Sequence, residues 1–142
     1  GTPVNTAAID FWPYGPHAVQ PLADGKLAIY DNGAYRGWFA DNTVAAESYS
    51  RAVSYAVDES SMTVQIDWAF DAGRQYFTAA TGDIDYFPET DRYLVGFAGR
   101  SPDASTPRLI EVDRSGNILF EAVSNPGTQE YRAEKLDLYQ GL

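Results

Sequence analysis

The sequence contains a single histidine, His17, among its 142 residues. It follows the aromatic, Gly- and Pro-rich stretch Phe11-Trp-Pro-Tyr-Gly-Pro and begins a segment that reads as a β-strand. A neutral imidazole nitrogen is a competent nucleophile near neutral pH. The alternative is a structural histidine at a strand edge, satisfied by a backbone carbonyl group. The residue type alone leaves both uses open.

Aromatic and basic residues near His17 are candidates for holding a substrate. Aromatic rings stack on other rings and tolerate many ligand shapes, but the same rings could pack neighbouring sheets together. Arginines could stabilise an anionic group during a transfer reaction, although Arg36 could equally be a solvated loop cation and Arg51 a partner in an ion pair. The candidate substrate-binding residues are Trp12, Tyr14, Tyr35, Arg36 and Trp38.

Two acidic motifs have alternative uses. Asp31-Asn32, which precedes Gly33, could orient the imidazole through its second nitrogen or could hold a turn. Asp83 and Asp85 lie on one face of a predicted strand, but two carboxylates are far fewer than the roughly six to eight oxygens that calcium takes. The sequence also has no Gly-rich phosphate loop and no paired-histidine metal motif. We therefore expect no metal site and no cofactor.

The composition excludes several classes of function. The formal net charge is −10, so binding to nucleic acid or to an anionic membrane surface is not expected. No window approaches the roughly 20 apolar residues of a membrane span. With 44% apolar and 14% aromatic residues the chain can build a core, which argues against global disorder. The absence of cysteine excludes disulfides and a thiolate nucleophile.

Four pairs of short segments with alternating apolar and polar residues predict four β-hairpins. In the first, Ala23-Asp-Gly supplies the positive φ angles that a tight turn requires. Residues 131–139 also alternate and predict one further strand. The four predicted hairpins cover residues 17–33, 50–70, 83–97 and 108–123.

The hairpins match in pairs, so a unit of two hairpins occurs twice: residues 17–32 parallel 83–97, and residues 51–58 parallel 108–113. A period of roughly 55–65 residues with four short strands is typical of a β-propeller blade. Because propellers typically have about 4–8 blades, we expect the remaining blades in another chain or copy. The predicted fold is all-β, with about two four-stranded antiparallel blades. Its parts are a lead-in at 1–16, a blade at 17–73, and a blade plus C-terminal strand at 74–142.

Several motifs together resemble the bacterial arylsulfotransferase family. The motifs are Tyr14-Gly-Pro-His17, Asp24-Gly-Lys-Leu-Ala-Ile-Tyr-Asp-Asn-Gly33, Tyr49-Ser-Arg-Ala-Val-Ser-Tyr-Ala-Val-Asp58 and Tyr131-Arg-Ala-Glu-Lys-Leu. The likeness runs over most of residues 11–139. The motifs also occur in the family's order, which is more specific than any single motif.

The resemblance implies a six-bladed propeller enzyme, periplasmic or extracellular, that moves a sulfuryl group from a phenolic sulfate ester to a phenol without a nucleotide sulfate donor. It implies that His17 is the catalytic nucleophile and is transiently sulfurylated. The family's other active-site positions, a His-x-Asn pair, an Arg and a further His, belong to earlier blades. Where the second repeat parallels the His-x-Asn strand, this sequence reads Ala80-Thr-Gly82. We therefore expect the C-terminal part of such an enzyme, incomplete as a catalyst by itself.

Two other functions compete with this one. A propeller-like scaffold could present an aromatic groove to aromatic or sugar ligands without turnover. The chain could also be a purely structural or assembly-forming piece, in which case His17 would be deeply buried with no cavity beside it.

Overall fold

The computed structural model describes residues 10–34, 36, 48–99 and 106–135. These residues form eight strands and two short 3-10 helices, Ala23–Gly25 and Ala72–Arg74. The strands are β1 (Pro16–Pro21), β2 (Lys26–Asp31), β3 (Arg51–Asp58), β4 (Thr63–Phe70), β5 (Asp83–Phe87), β6 (Arg92–Phe97), β7 (Arg108–Asp113) and β8 (Ile118–Val123). Within the described ranges no helix is long and apolar enough to cross a membrane.

The strands form two antiparallel sheets, each of four strands in sequence order. The first sheet contains β1 to β4 and the second contains β5 to β8. The prediction of four-stranded antiparallel units in an all-β chain is confirmed, and so are the four hairpins. The arrangement of such units as propeller blades stays a prediction.

Local chemistry explains where the hairpins turn. In the first hairpin Gly25 has φ +71°, as the Asp-Gly sequence predicts. In the second, the Asp58 carboxylate accepts the Ser60 backbone N–H at 2.9 Å. In the fourth, the Asp113 carboxylate accepts the backbone N–H groups of Ser115 and Asn117, both at 2.9 Å. Short acidic side chains that bond to nearby backbone N–H groups stabilise turns of this kind.

The core lies between the two sheets. The rings of Trp68, from β4, and Tyr93, from β6, stack with their centroids 3.8 Å apart and their planes 5° from parallel. Tyr30, from β2, meets Phe97, from β6, edge-on at 5.9 Å. The remaining buried members of this cluster are Ala28, Ala52, Phe70, Ile84, Val95, Ile110 and Val112. Burial of these apolar side chains is what holds the sheets together.

Polar contacts fix how the two sheets meet. The Trp68 indole N–H donates to the carbonyl oxygen of Arg114 at 3.1 Å, and the Arg114 guanidinium donates to the Asp67 carboxylate at 2.6 Å. At the β1 side, the Tyr86 backbone N–H donates to the side-chain oxygen of Gln20 at 2.9 Å. These contacts join β1 and β4 of the first sheet to the second sheet.

The predicted C-terminal strand differs from what the structure has. Residues 131–135 are not a strand, and residues 136–139 lie outside the described ranges. Instead of a strand ladder, side chains hold this segment: the Ala133 backbone N–H donates to the Asp83 carboxylate at 3.1 Å, and Lys135 donates to Glu111 at 3.0 Å. Alternation in the sequence did not distinguish this side-chain docking from strand pairing.

Candidate active site

His17 is the second residue of β1 and is partly buried. It pairs with Tyr30 of β2, and the register then shifts so that Gln20 pairs with Ala28. This β-bulge is accompanied by a positive φ of +50° at Ala18. Opposite residues of an antiparallel pair share a face, and Tyr30 and Ala28 both face the second sheet. Their partners His17 and Gln20 therefore also face the second sheet, which residues three positions apart in a regular strand would not do.

Asn32 orients the imidazole of His17. Its side-chain oxygen lies 2.6 Å from Nδ1 of the ring. Its side-chain nitrogen donates to two backbone carbonyl groups, those of Thr78 at 2.7 Å and Thr81 at 2.6 Å. Both N–H bonds of the amide are therefore used, which fixes which end of the amide faces the ring. Asn32 is fully buried, so solvent does not compete for these bonds.

The hydrogen bonds determine the tautomer of the neutral ring. An amide oxygen only accepts, so Nδ1 must carry the proton that it donates to Asn32. Nε2 then keeps its lone pair. This lone pair accepts the Thr81 backbone N–H at the long distance of 3.5 Å. This is the protonation pattern that a nucleophilic imidazole requires.

The turn that brings Thr81 to the ring has an unusual backbone. Thr81 has φ +68° and Gly82 has φ +114°. A Cβ added to Gly82 would lie 2.1 Å from the Tyr30 ring, so only glycine lets the turn pack this closely. A positive φ is uncommon in residues other than glycine, and especially in β-branched residues such as Thr81. Here both Ala18 and Thr81, which lie next to the histidine, have positive φ.

A cleft of about 360 Å³ opens beside His17, between β1 and β5. The charged side chains along it are Asp83, Asp85 and Arg132. Burial, together with the neighbouring charge of Asp83, raises the pKa of Asp85. The other lining residues are Ala18, Val19, Gln20, Pro21, Gly82, Ile84 and Tyr131. No group of three or more metal-ligating acidic or histidine side chains occurs in the described part of the chain.

The neighbouring Asp31 has a different role from Asn32. It is fully buried and forms ion pairs with Arg36 and with Arg51, whose Nε lies 2.9 Å from Asp31 Oδ2. Its other oxygen accepts the backbone N–H groups of Tyr14 at 2.8 Å and Gly33 at 3.0 Å. Asp31 therefore ties the loop before His17 to β2 and β3, while Asn32 bonds to the ring.

The sequence-predicted substrate-binding residues lie in different places. Arg36 is only 2% exposed and its guanidinium sits over the Tyr14 ring at 5.1 Å from the centroid. Trp12 lines a separate apolar groove of about 160 Å³ on the first sheet. None of these three residues, Arg36, Tyr14 and Trp12, lines the His17 cleft. Tyr35 and Trp38 lie outside the described residues.

Sequence reasoning did not single out several residues that contact the Asn32–His17 pair or line the cleft. Thr78 and Thr81 act through backbone carbonyl and N–H groups, for which the sequence gives no signal. Tyr131 and Arg132 did carry a signal, because they lie in one of the motifs that supported the family resemblance. That resemblance pointed to the segment but not to its position beside His17.

The described part of the chain is all-β, which is the fold class that the resemblance drawn from the motifs implies. The model of the arylsulfotransferase family matches residues 2–132, and the chain belongs to this family.

Two curated relatives support this family assignment. The arylsulfate sulfotransferase AssT of Lelliottia amnigena is 32% identical over 88 residues, which are 61% of this chain and 14% of the relative. The protein of the same name from Escherichia coli O6:H1 is 30% identical over an alignment of 132 residues, and the match covers 84% of this chain and 22% of the relative. The chain thus spans less than a quarter of the length of either relative.

Proposed function

We propose that the chain is the C-terminal segment of an enzyme that transfers a sulfuryl group from a phenolic sulfate ester to a phenol, with His17 as the transiently sulfurylated nucleophile. The observation that carries the proposal is the fixed tautomer of His17, in which Asn32 holds the proton on Nδ1. A lone pair on Nε2 beside an open cleft is what attack on sulfur needs. The printed names of the relatives support the class of substrate.

The proposed reaction has two half-reactions. In the first, the lone pair of Nε2 attacks the sulfur of the ester, an N–S bond forms, and the S–O bond to the aryl group breaks. The phenolate leaves with that electron pair and takes up a proton from solvent. In the second, a phenol loses its proton to solvent and its oxygen attacks the same sulfur, so that the N–S bond breaks and the electron pair returns to Nε2. No oxidation state changes.

Two polar groups support this chemistry at the ring. Positive charge builds up on the imidazole when Nε2 forms a bond to sulfur, and the Nδ1–H bond to Asn32 strengthens as it does. The Thr81 backbone N–H donates to Nε2 at 3.5 Å, and once a sulfuryl group occupies that nitrogen this donor faces its oxygens. A backbone donor in such a position stabilises developing negative charge.

The proposal includes further sheets of the same kind, arranged as a six-bladed propeller. The first sheet packs one face on the second sheet, while its opposite face carries the apolar groove that includes Trp12, Ile29 and Val57. On β8 of the second sheet, Ile118 and Phe120 are 53% and 51% exposed. Apolar sheet surfaces of this kind need covering, and repetition of the same sheet-on-sheet contact would cover them. We also propose a periplasmic or extracellular location, as the family resemblance implies.

The test is a phenol-release assay on the complete enzyme that contains this chain, with para-nitrophenyl sulfate as donor and phenol as acceptor. We expect His17→Ala to lower the transfer rate on the order of 10³-fold or more, because the nucleophile is lost. A mass increase of one sulfuryl group on the peptide that contains His17 should appear with donor alone. Ligand binding without turnover that survives His17→Ala would instead identify a binding module.

A further inference from the structure

Arg132 lines the same cleft as His17, although it lies 115 positions later in the chain. It is held there by the segment 130–135, which docks on the second sheet. On either side of Arg132, Ser124 donates to Glu130 at 2.6 Å and the Ala133 backbone N–H donates to Asp83 at 3.1 Å. The segment is therefore fixed by contacts that do not involve the Arg132 guanidinium.

An anionic substrate needs a cation in this cleft to offset the acidic side chains that line it. A sulfate ester is an anion, and both Asp83 and Asp85 would repel it. Arg132 is the one basic side chain among the described residues that line the cleft. Without it, the charged side chains along this cleft would all be acidic.

The guanidinium is oriented without being enclosed. Its Nε lies 4.0 Å from the Asp83 carboxylate and its Nη2 lies 2.8 Å from the Glu134 carboxylate. The side chain is nevertheless 62% exposed. A planar guanidinium with several N–H donors suits the oxygens of a sulfate or phosphate group.

We propose that Arg132 binds the non-bridging oxygens of the sulfate ester and so positions its sulfur for attack by His17. This inference rests on the proposed function, since it assigns the anion-binding group of the same cleft. It makes the C-terminal segment part of the substrate site. Arg132 is a positioning residue that contacts the donor, and it takes no part in breaking or forming the S–O and N–S bonds.

The first test measures binding to the complete enzyme that contains this chain, since the chain spans less than a quarter of the length of its relatives. The ring resonances of His17 are identified as those that His17→Ala removes. Titration with inorganic sulfate and with para-nitrophenyl sulfate should shift these resonances in a saturable way. Arg132→Ala should weaken binding of both anions at least about tenfold, since hydrogen bonds to a charged group are lost. Arg132→Lys should fall between the two, because it keeps the charge but loses the planar fork.

Arg74→Ala is the matched control. Arg74 is 57% exposed, pairs with Asp10 at 2.9 Å and does not line the cleft, so its removal changes net charge by the same amount. An uncharged phenol is the matched ligand. We expect Arg74→Ala to leave anion binding unchanged and Arg132→Ala to leave phenol binding unchanged. Thermal unfolding of each variant identifies any loss of fold, and Arg132→Lys carries the test if Arg132→Ala does not fold.

The inference is overturned if sulfate does not bind to the complete enzyme, if Arg74→Ala weakens binding as much as Arg132→Ala does, or if phenol binding falls in parallel with anion binding. The last result would mean that Arg132 only holds the segment in place. Failure of the proposed function is separate: it would appear as undiminished transfer in His17→Ala. If His17→Ala abolishes transfer while Arg132→Ala and Arg132→Lys keep normal KM values, the role of His17 as nucleophile is supported and the role of Arg132 in binding the donor is refuted.

Discussion

The pairing of Asn32 with His17 makes one buried amide responsible for which imidazole nitrogen carries the proton. The amide cannot turn over without placing its N–H groups against the ring and its oxygen against two carbonyl oxygens, those of Thr78 and Thr81. Either mismatch leaves buried polar groups unsatisfied. The arrangement therefore specifies the nucleophilic atom before any substrate arrives.

Replacement of Asn32 by alanine should lower the rate of sulfuryl transfer at least about tenfold, as is typical when a partner that orients a functional histidine is removed. The two ring nitrogens of His17 should then show ¹⁵N shifts of a tautomer mixture rather than of one form. Asn117→Ala is the control, because Asn117 is exposed and its side chain bonds to Asp113 at 2.9 Å and not to the ring. An unchanged ¹⁵N spectrum in Asn32→Ala would refute the orienting role.

The sequence alone could indicate His17 but not its partner. Asp31-Asn32-Gly33 suggested either a turn or an orienting group, and both uses occur in adjacent residues: Asp31 holds the arginines, and Asn32 holds the ring. The partners that decide this, Thr78 and Thr81, are 46 and 49 positions away from Asn32. Contacts at that separation depend on how the sheets pack, which local patterns do not specify.

At the scale of elements, the turn at residues 80–82 connects the packing of the sheets to the geometry at the histidine. Gly82 lies against the Tyr30 ring, and Tyr30 donates or accepts a hydrogen bond with Thr78 at 3.1 Å. A change that pushes the turn away from Tyr30 should therefore also move the Thr81 groups that bond to Asn32 and approach His17.

Gly82→Ala should lower the free energy of unfolding by about 2–5 kcal/mol, since the positive φ is strained and the new Cβ overlaps Tyr30. Gly116→Ala is matched in backbone, with φ +87°, but has no atom within 4 Å of the new Cβ. It should cost only the backbone strain, about 1–2 kcal/mol. Urea unfolding followed by tryptophan fluorescence measures both. Equal losses would mean that the contact with Tyr30 is unimportant.

The strands themselves were predictable because each hairpin has alternating residues and a polar turn. The bulge in β1 was not, because the residues from His17 to Gln20 contain no glycine and no break in pattern to mark it. It shows only in the pairing with β2. The same holds for residues 131–135, whose alternation predicted a strand but whose backbone is held by the side chain of Asp83.

At the scale of the whole molecule, the two sheets contribute different parts of the cleft. His17 belongs to the first sheet, whereas Asp83 and Asp85 belong to the second and Arg132 is docked on it. The relative position of the sheets is therefore part of the site. A period of two hairpins predicted two similar units, but no pattern in the sequence predicted which side chains would join them.

Asp67 is the acidic residue at the junction of the sheets. Its carboxylate lies 3.1 Å from Lys26 of the first sheet and 2.6 Å from Arg114 of the second. Burial acts to raise the pKa of Asp67, but hydrogen bonds and charges from Arg114 and Lys26 outweigh it and lower the pKa below 3.8. A carboxyl group with a lowered pKa stabilises the fold above its unfolded pKa, and this contribution is lost as the pH falls through its folded pKa.

Asp67→Asn should therefore lower the free energy of unfolding by about 1–2 kcal/mol at pH 7, as expected for a partly exposed carboxylate with two charged partners. The difference from the parent protein should shrink as the pH falls below the ordinary carboxyl pKa of 3.8 and through the lowered pKa of folded Asp67, because the parent carboxyl group then becomes protonated as well. Urea unfolding at a series of pH values measures it. Glu59→Gln is the control, because Glu59 is exposed and makes no ion pair among the described residues. A difference that stayed constant over this whole acid range would show that the Asp67 charge does not join the sheets.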